Sequence, residues 1–175
     1  MSTEPALVFS HVARHFARDG ATDAVAAITD LNFKIGTGEH ICVVGRTGCG
    51  KSTSVNLLLG LMPASSGRVR VLGVDPYHDF QRLRGRIGCV FQSDRLLLWR
   101  SAIDNVLMPL EILRLRNNVA HQSAAELLRK VGLTGYEHAF PHELSGGMRQ
   151  RVAFARALIT QQAILIADEA FGHVR

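Results

Sequence analysis

Ile41-Cys42-Val43-Val44-Gly45-Arg46-Thr47-Gly48-Cys49-Gly50-Lys51-Ser52-Thr53 decides the reading of this chain. Four apolar residues run into Gly45, as a short buried strand bounded by glycine would. Gly45, Gly50, Lys51 and Ser52 then match the spacing G-x-x-x-x-G-K-[ST]. Beyond them Val55, Leu58, Leu59 and Met62 recur at helical spacing. A strand, a glycine loop and a helix are the context that makes this spacing a phosphate loop. Glycines let successive N–H groups turn inward toward a polyphosphate, and the opening helix adds free donors and the positive end of its dipole. Residues Gly45 to Thr53 are therefore the expected polyphosphate-binding segment. In it Lys51 supplies a point charge to the β- and γ-phosphates, and the Ser52 hydroxyl is a ligand for Mg²⁺.

Upstream, residues 6–16 and 24–35 are rich in β-branched and aromatic residues and predict two strands separated by a loop at 17–23. Two strands ahead of a phosphate loop suggest an antiparallel subsheet beside a mainly parallel sheet, an α/β fold of the P-loop NTPase type. Phe16 is a candidate for stacking on a base ring, and it fits a core aromatic equally well. Downstream, Val69 and Val71 predict an edge strand. Ile87–Phe91 predicts a buried strand with Gln92 just past its end, where a polar side chain meets ligand in parallel sheets. The Gln92 amide could coordinate Mg²⁺ or orient a water; a plain loop residue is the alternative. Helical spacing covers 102–116, with Pro109 expected to kink or interrupt it, and 119–131, ended by Gly132.

Leu144-Ser145-Gly146-Gly147-Met148-Arg149-Gln150-Arg151 opens another helix. Ser145 is a good N-cap, and two glycines at a helix start make sense if a phosphate must approach the backbone there. Ala163–Ala167 predicts a buried strand ending in Asp168-Glu169. Asp168 is expected to hold Mg²⁺ through water, and Glu169 to act as general base toward the attacking water.

Composition narrows the class. The chain has 175 residues, 47% hydrophobic and 20% charged, which is globular and large enough for one domain. No apolar run reaches the roughly 18 residues of a membrane span, and the start lacks the pattern of a signal peptide. A net charge of +5 without a dense basic block reads as a solvated, arginine-rich surface rather than a nucleic-acid face. Cys42, Cys49 and Cys89 are odd in number and lack metal spacing, so buried reduced thiols are expected.

The three stretches, with Gln92 between the first two, resemble the nucleotide-binding subunit of ATP-binding cassette transporters over nearly the whole chain. Val90 to Trp99, followed by Asp104-Asn105-Val106 and Pro109-Leu110-Glu111, looks like the nitrate/sulfonate/taurine importer branch, with Leu98 in place of a usual proline. The resemblance implies one ATP-binding domain with a helical subdomain at about 93–150. It implies a dimer in which Leu144 to Gln150 of one copy caps the γ-phosphate held by Lys51 of the other. It further implies a membrane permease docking near 99–116, an indirect solute-binding partner, no nucleic acid, and a peripheral place on the cytoplasmic face of the inner membrane. The family continues past Glu169 to an aspartate and a histidine, and here Ala170 stands at a usual proline and the sequence closes at Arg175. A C-terminally truncated copy is therefore expected, either an ATPase powering import or an ATP-binding but hydrolysis-deficient remnant.

Overall fold

A computed structural model describes residues 4–17 and 25–168. The expected loop at 17–23 falls almost wholly outside the described residues, as does Glu169. The chain divides into two compact units, Met1–Leu83 and Arg84–Arg175.

The first unit is built on a three-stranded antiparallel sheet. Strand β1 (Leu7–Phe16) lies between β2 (Val25–Ile35) and β3 (Ser66–Val71). Leu7 and Phe9 face inward by ordinary alternation. A register shift follows at His11, whose φ is 47°, and beyond it Val12 and Ala13 are both buried. Val69 and Val71 of β3, and Ile28 and Ile35 of β2, complete the buried face, on which Leu57 is also buried. Helix α1 (Lys51–Leu58) ends a turn earlier than its apolar spacing suggests, at a C-cap on Leu59.

The expected strand at 40–44 does not form. No regular structure is present there, and Ile41, Val43 and Val44 are 54%, 59% and 87% exposed. Apolar content alone does not make a strand. The backbone groups need a ladder partner, and among the described residues nothing pairs with this run.

In the second unit β4 (Ile87–Val90) pairs in parallel with β5 (Ile164–Ala167), Ile87 opposite Ile164 and Val90 opposite Ala167. Three helices, α2 (Ala102–Ile112), α3 (Asn118–Lys130) and α4 (Gly146–Leu158), share a core that includes Val106, Leu107, Leu128 and Val152. Gly88 lets α4 approach the sheet, since a Cβ there would lie 2.5 Å from the Ala157 carbonyl oxygen. Pro109 does not interrupt α2, which runs on to Ile112. The carbonyl that a proline at 109 leaves without its helical partner is that of Asn105.

The Asn105 side chain sits at 0% exposure among apolar neighbours. Its Oδ1 accepts from Leu97 N at 2.8 Å, and its Nδ2 donates to the carbonyls of Leu97, Arg100 and Ser101 at 3.1, 3.0 and 3.0 Å. One amide thus satisfies the polar backbone of the loop before α2. Asn105→Ala strands those groups, and the expected loss is about 2–4 kcal/mol of stability, read as a lowered urea midpoint.

Candidate functional site

In the first unit the loop from Gly45 folds back on itself, with Cys49 N donating to Arg46 O at 3.2 Å. Gly50, the N-cap of α1, is left-handed at φ 95°. It also sits against β2, where an added Cβ would be 2.6 Å from the Ala27 carbonyl oxygen. No side chain caps α1, and its first turn holds no acidic residue, so its N–H groups and dipole face outward without a competing carboxylate.

The Lys51 ammonium reaches back over the loop and donates to Gly45 O at 2.7 Å and Arg46 O at 3.1 Å, with Cys49 Sγ at 3.9 Å. These are neutral acceptors, and a phosphate oxygen outcompetes them because it sets a full negative charge against the ammonium. Arg46, Thr47 and Gly48 are exposed, as is Ser52, while Thr53 is half-buried.

Phe16 pairs with Val25 at the end of β1, two residues along β2 from the Ala27 that seats Gly50, or about 7 Å. Its ring is 37% exposed, and the Arg14 guanidinium lies 4.7 Å from the centroid. Phe16 is therefore at the same end of the sheet as the loop and outside the core.

In the second unit Gln92 and Asp168 lie at the carboxyl ends of the paired parallel strands. Asp168 N donates to Val90 O at 2.9 Å, and Gln92 O accepts from Gln150 Nε2 at 2.9 Å. Among the described residues no group of three or more His, Cys, Asp or Glu side chains could hold a metal.

The segment opening α4 is split in two. Ser145, Gly146 and Gly147 are exposed, and a Cβ on Gly147 would meet nothing within 4 Å. Ser145 Oγ accepts from Met148 N at 3.3 Å. The remaining residues turn toward their own unit. Leu144 is buried, Met148 packs against the helical core, Arg149 Nε donates to Asp94 Oδ2 at 3.0 Å and Gln150 holds Gln92.

Sequence reasoning missed Asn105, Asp94 and Arg156. A polar residue inside the apolar stripe of Val106 and Leu110 was the available signal for Asn105. Asp94 and Arg156 left none, because they meet across 62 positions.

The cysteine expectation is corrected. Cys42 and Cys49 are exposed, because the 40–44 run never enters a sheet, and only Cys89 is partly covered. Burial pushes the Cys89 thiol up to about 11, with the Asp168 charge adding to the rise and Arg95 opposing it.

Residues 28–172 match the family described as ABC transporter. The chain belongs to that family. It is 44% identical over 156 residues to the taurine import ATP-binding protein TauB of Rhizobium johnstonii, covering 89% of this chain and 57% of that protein. It is 40% identical to the cell division ATP-binding protein FtsE of Mycobacterium tuberculosis, covering 91% of this chain and 71% of that one. The chain thus spans little more than half the length of the taurine relative. Among solved structures, the dimeric post-hydrolysis state of the ATP-binding cassette MJ0796 bound to ADP and Pi matches with a TM-score of 0.84 at 28% identity, covering 97% of this chain and 76% of that one. The α/β P-loop NTPase fold expected from the sequence is thereby borne out.

The thiols give a direct check. At pH 8, iodoacetamide should label Cys42 and Cys49 rapidly and Cys89 at least about tenfold more slowly, read by mass spectrometry. Because the folded-state pKa of Cys89 lies above its unfolded value, the protonated thiol favours the fold. That contribution is present below pH ~9 and is lost as pH rises toward 11, so a Cys89→Ala variant should lose less stability than the parent across that window.

Proposed function

We propose that this chain binds Mg-ATP through Gly45–Thr53 and works as the ATP-hydrolysing subunit of an importer for a small nitrate-, sulfonate- or taurine-like solute. The observation that carries the reading is the Lys51 ammonium poised over an uncapped helix start on neutral acceptors, the Gly45 and Arg46 carbonyls and the Cys49 sulfur. In this reading Lys51 exchanges the carbonyls of Gly45 and Arg46 for β- and γ-phosphate oxygens. The backbone N–H groups of Gly48 to Thr53 bind the remaining phosphate oxygens, and Phe16 stacks on the base. On the sequence reading, Ser52 and Gln92, with Asp168 acting through water, would hold Mg²⁺, which would supply positive charge to the phosphates. Glu169 accepts the proton of the attacking water.

The exposed Ser145, Gly146 and Gly147 of a second copy close over the γ-phosphate, so the working form is a dimer. The segment around 99–116 docks a permease at the cytoplasmic face of a membrane, and a solute-binding protein acts through that permease. The likeness to TauB favours a sulfonate-type solute, and the FtsE likeness shares the cassette without that solute. The whole is one ATP-binding domain.

The test is calorimetric titration of Mg-ATP into the chain and into Lys51→Ala. A lost charge-assisted bond to phosphate should weaken affinity by roughly 10- to 100-fold. Equal affinities would overturn the reading.

A further inference from the structure

The segment between β4 and α2 is held at two points by side chains with no part in the phosphate loop. Arg149, on the first turn of α4, donates through Nε to Asp94 Oδ2 at 3.0 Å and through Nη1 to the Leu144 carbonyl at 2.8 Å. Two turns on, Arg156 donates to the carbonyls of Asp94 at 2.6 Å and Arg95 at 2.8 Å. Burial lowers the Arg156 pKa and the Asp94 charge opposes that. Gln150 adds its bond to Gln92 O. Asp94 also organises its own turn, with Oδ1 accepting from Leu96 N at 3.2 Å. Farther along, Asn105 ties down 97, 100 and 101.

The result is a strap from Gln92 to Ser101 whose backbone is fastened to α4 at one end and to α2 at the other. Its apolar tip, Leu98 and Trp99, remains 67% and 74% exposed. A surface that exposed is ordinarily mobile on the nanosecond scale, and here the fastenings oppose that mobility. The Asp94–Arg149 pair is partly buried, with side chains 27% and 36% exposed, so it is less screened than a surface pair.

We propose that Arg149 and Asp94 are positioning residues. Their ion pair locks the strap to α4, so that Gln92 at one end and the Trp99 tip at the other move as one body with the Ser145–Gly147 helix start. This rests on the function proposed above for its consequence in turnover, and on geometry alone for the lock itself.

Trp99 is the single tryptophan of the chain, which makes the lock directly readable. The full chain is compared with Asp94→Asn, Arg149→Ala and the double variant by time-resolved Trp99 anisotropy without nucleotide. Asp94→Asn keeps an oxygen for Leu96 N and removes both the charge and the acceptor that faces Arg149 Nε. Each single variant should raise the amplitude of nanosecond Trp99 motion about twofold, and the double variant should add nothing further. Circular dichroism melts check the fold. If Arg149→Ala unfolds, Arg149→Gln, which keeps a donor for Leu144, replaces it.

With Mg-ATP, kcat per folded molecule, with the folded fraction read from the melts, should fall about fivefold or more while KM moves less than twofold. Folded single variants with parental anisotropy, or single effects that add in the double, would overturn the proposal. A parent that neither binds nor hydrolyses ATP would instead overturn the function proposed above, leaving the anisotropy to decide the lock.

Discussion

The seat of Gly50 on β2 is the constraint from which the rest follows. A left-handed residue whose missing Cβ leaves only 2.6 Å to a carbonyl oxygen has a single solution, glycine. That seat fixes where α1 begins, and where α1 begins fixes where its free N–H groups point. Lys51, the next residue, can then fold its ammonium back over the loop. Phe16 lies near because β1 and β2 pair antiparallel, Phe16 opposite Val25. Chain geometry and sheet register therefore gather an uncapped helix start, a positive charge and an exposed ring at one end of one small sheet.

The second unit answers a different problem. Its helical core is apolar and closely packed, and an irregular segment must cross it between β4 and α2. Irregular backbone carries polar groups that helices and sheets would otherwise satisfy. Asn105 and Arg156 supply the partners from within neighbouring helices. The outcome is a loop with no regular structure and few degrees of freedom. An ion-pair cluster beside it, Arg100 and Arg116 around Glu111 with Asp104, reaches along α2 from its first turn to its last.

Local patterns were legible in the sequence where one interaction range governs them. Ser145 capping α4 and the strands that end near Val90 and at Ala167 follow from periodicity and capping chemistry. The phosphate loop was legible because glycine spacing encodes backbone shape directly. Ile41–Val44 was misread because an apolar run records a preference for burial and says nothing of a pairing partner. The exposure of Cys42 and Cys49 follows from the same misreading. The helix through Pro109 is not interrupted because tertiary packing of Val106, Leu107 and Leu110 overrides one lost hydrogen bond. The Asp94–Arg149–Arg156 fastenings were illegible because sequence separation hides long-range polar pairs.

The loop from Gly45 to Thr53 should recognise phosphates rather than a nucleoside. Parallel calorimetric titrations of the chain with Mg-ATP and with adenosine test it most directly. The account expects Mg-ATP to bind at least about 100-fold more tightly, since each charged hydrogen bond to phosphate contributes about 1.5–3 kcal/mol. Comparable affinities for the two would contradict it.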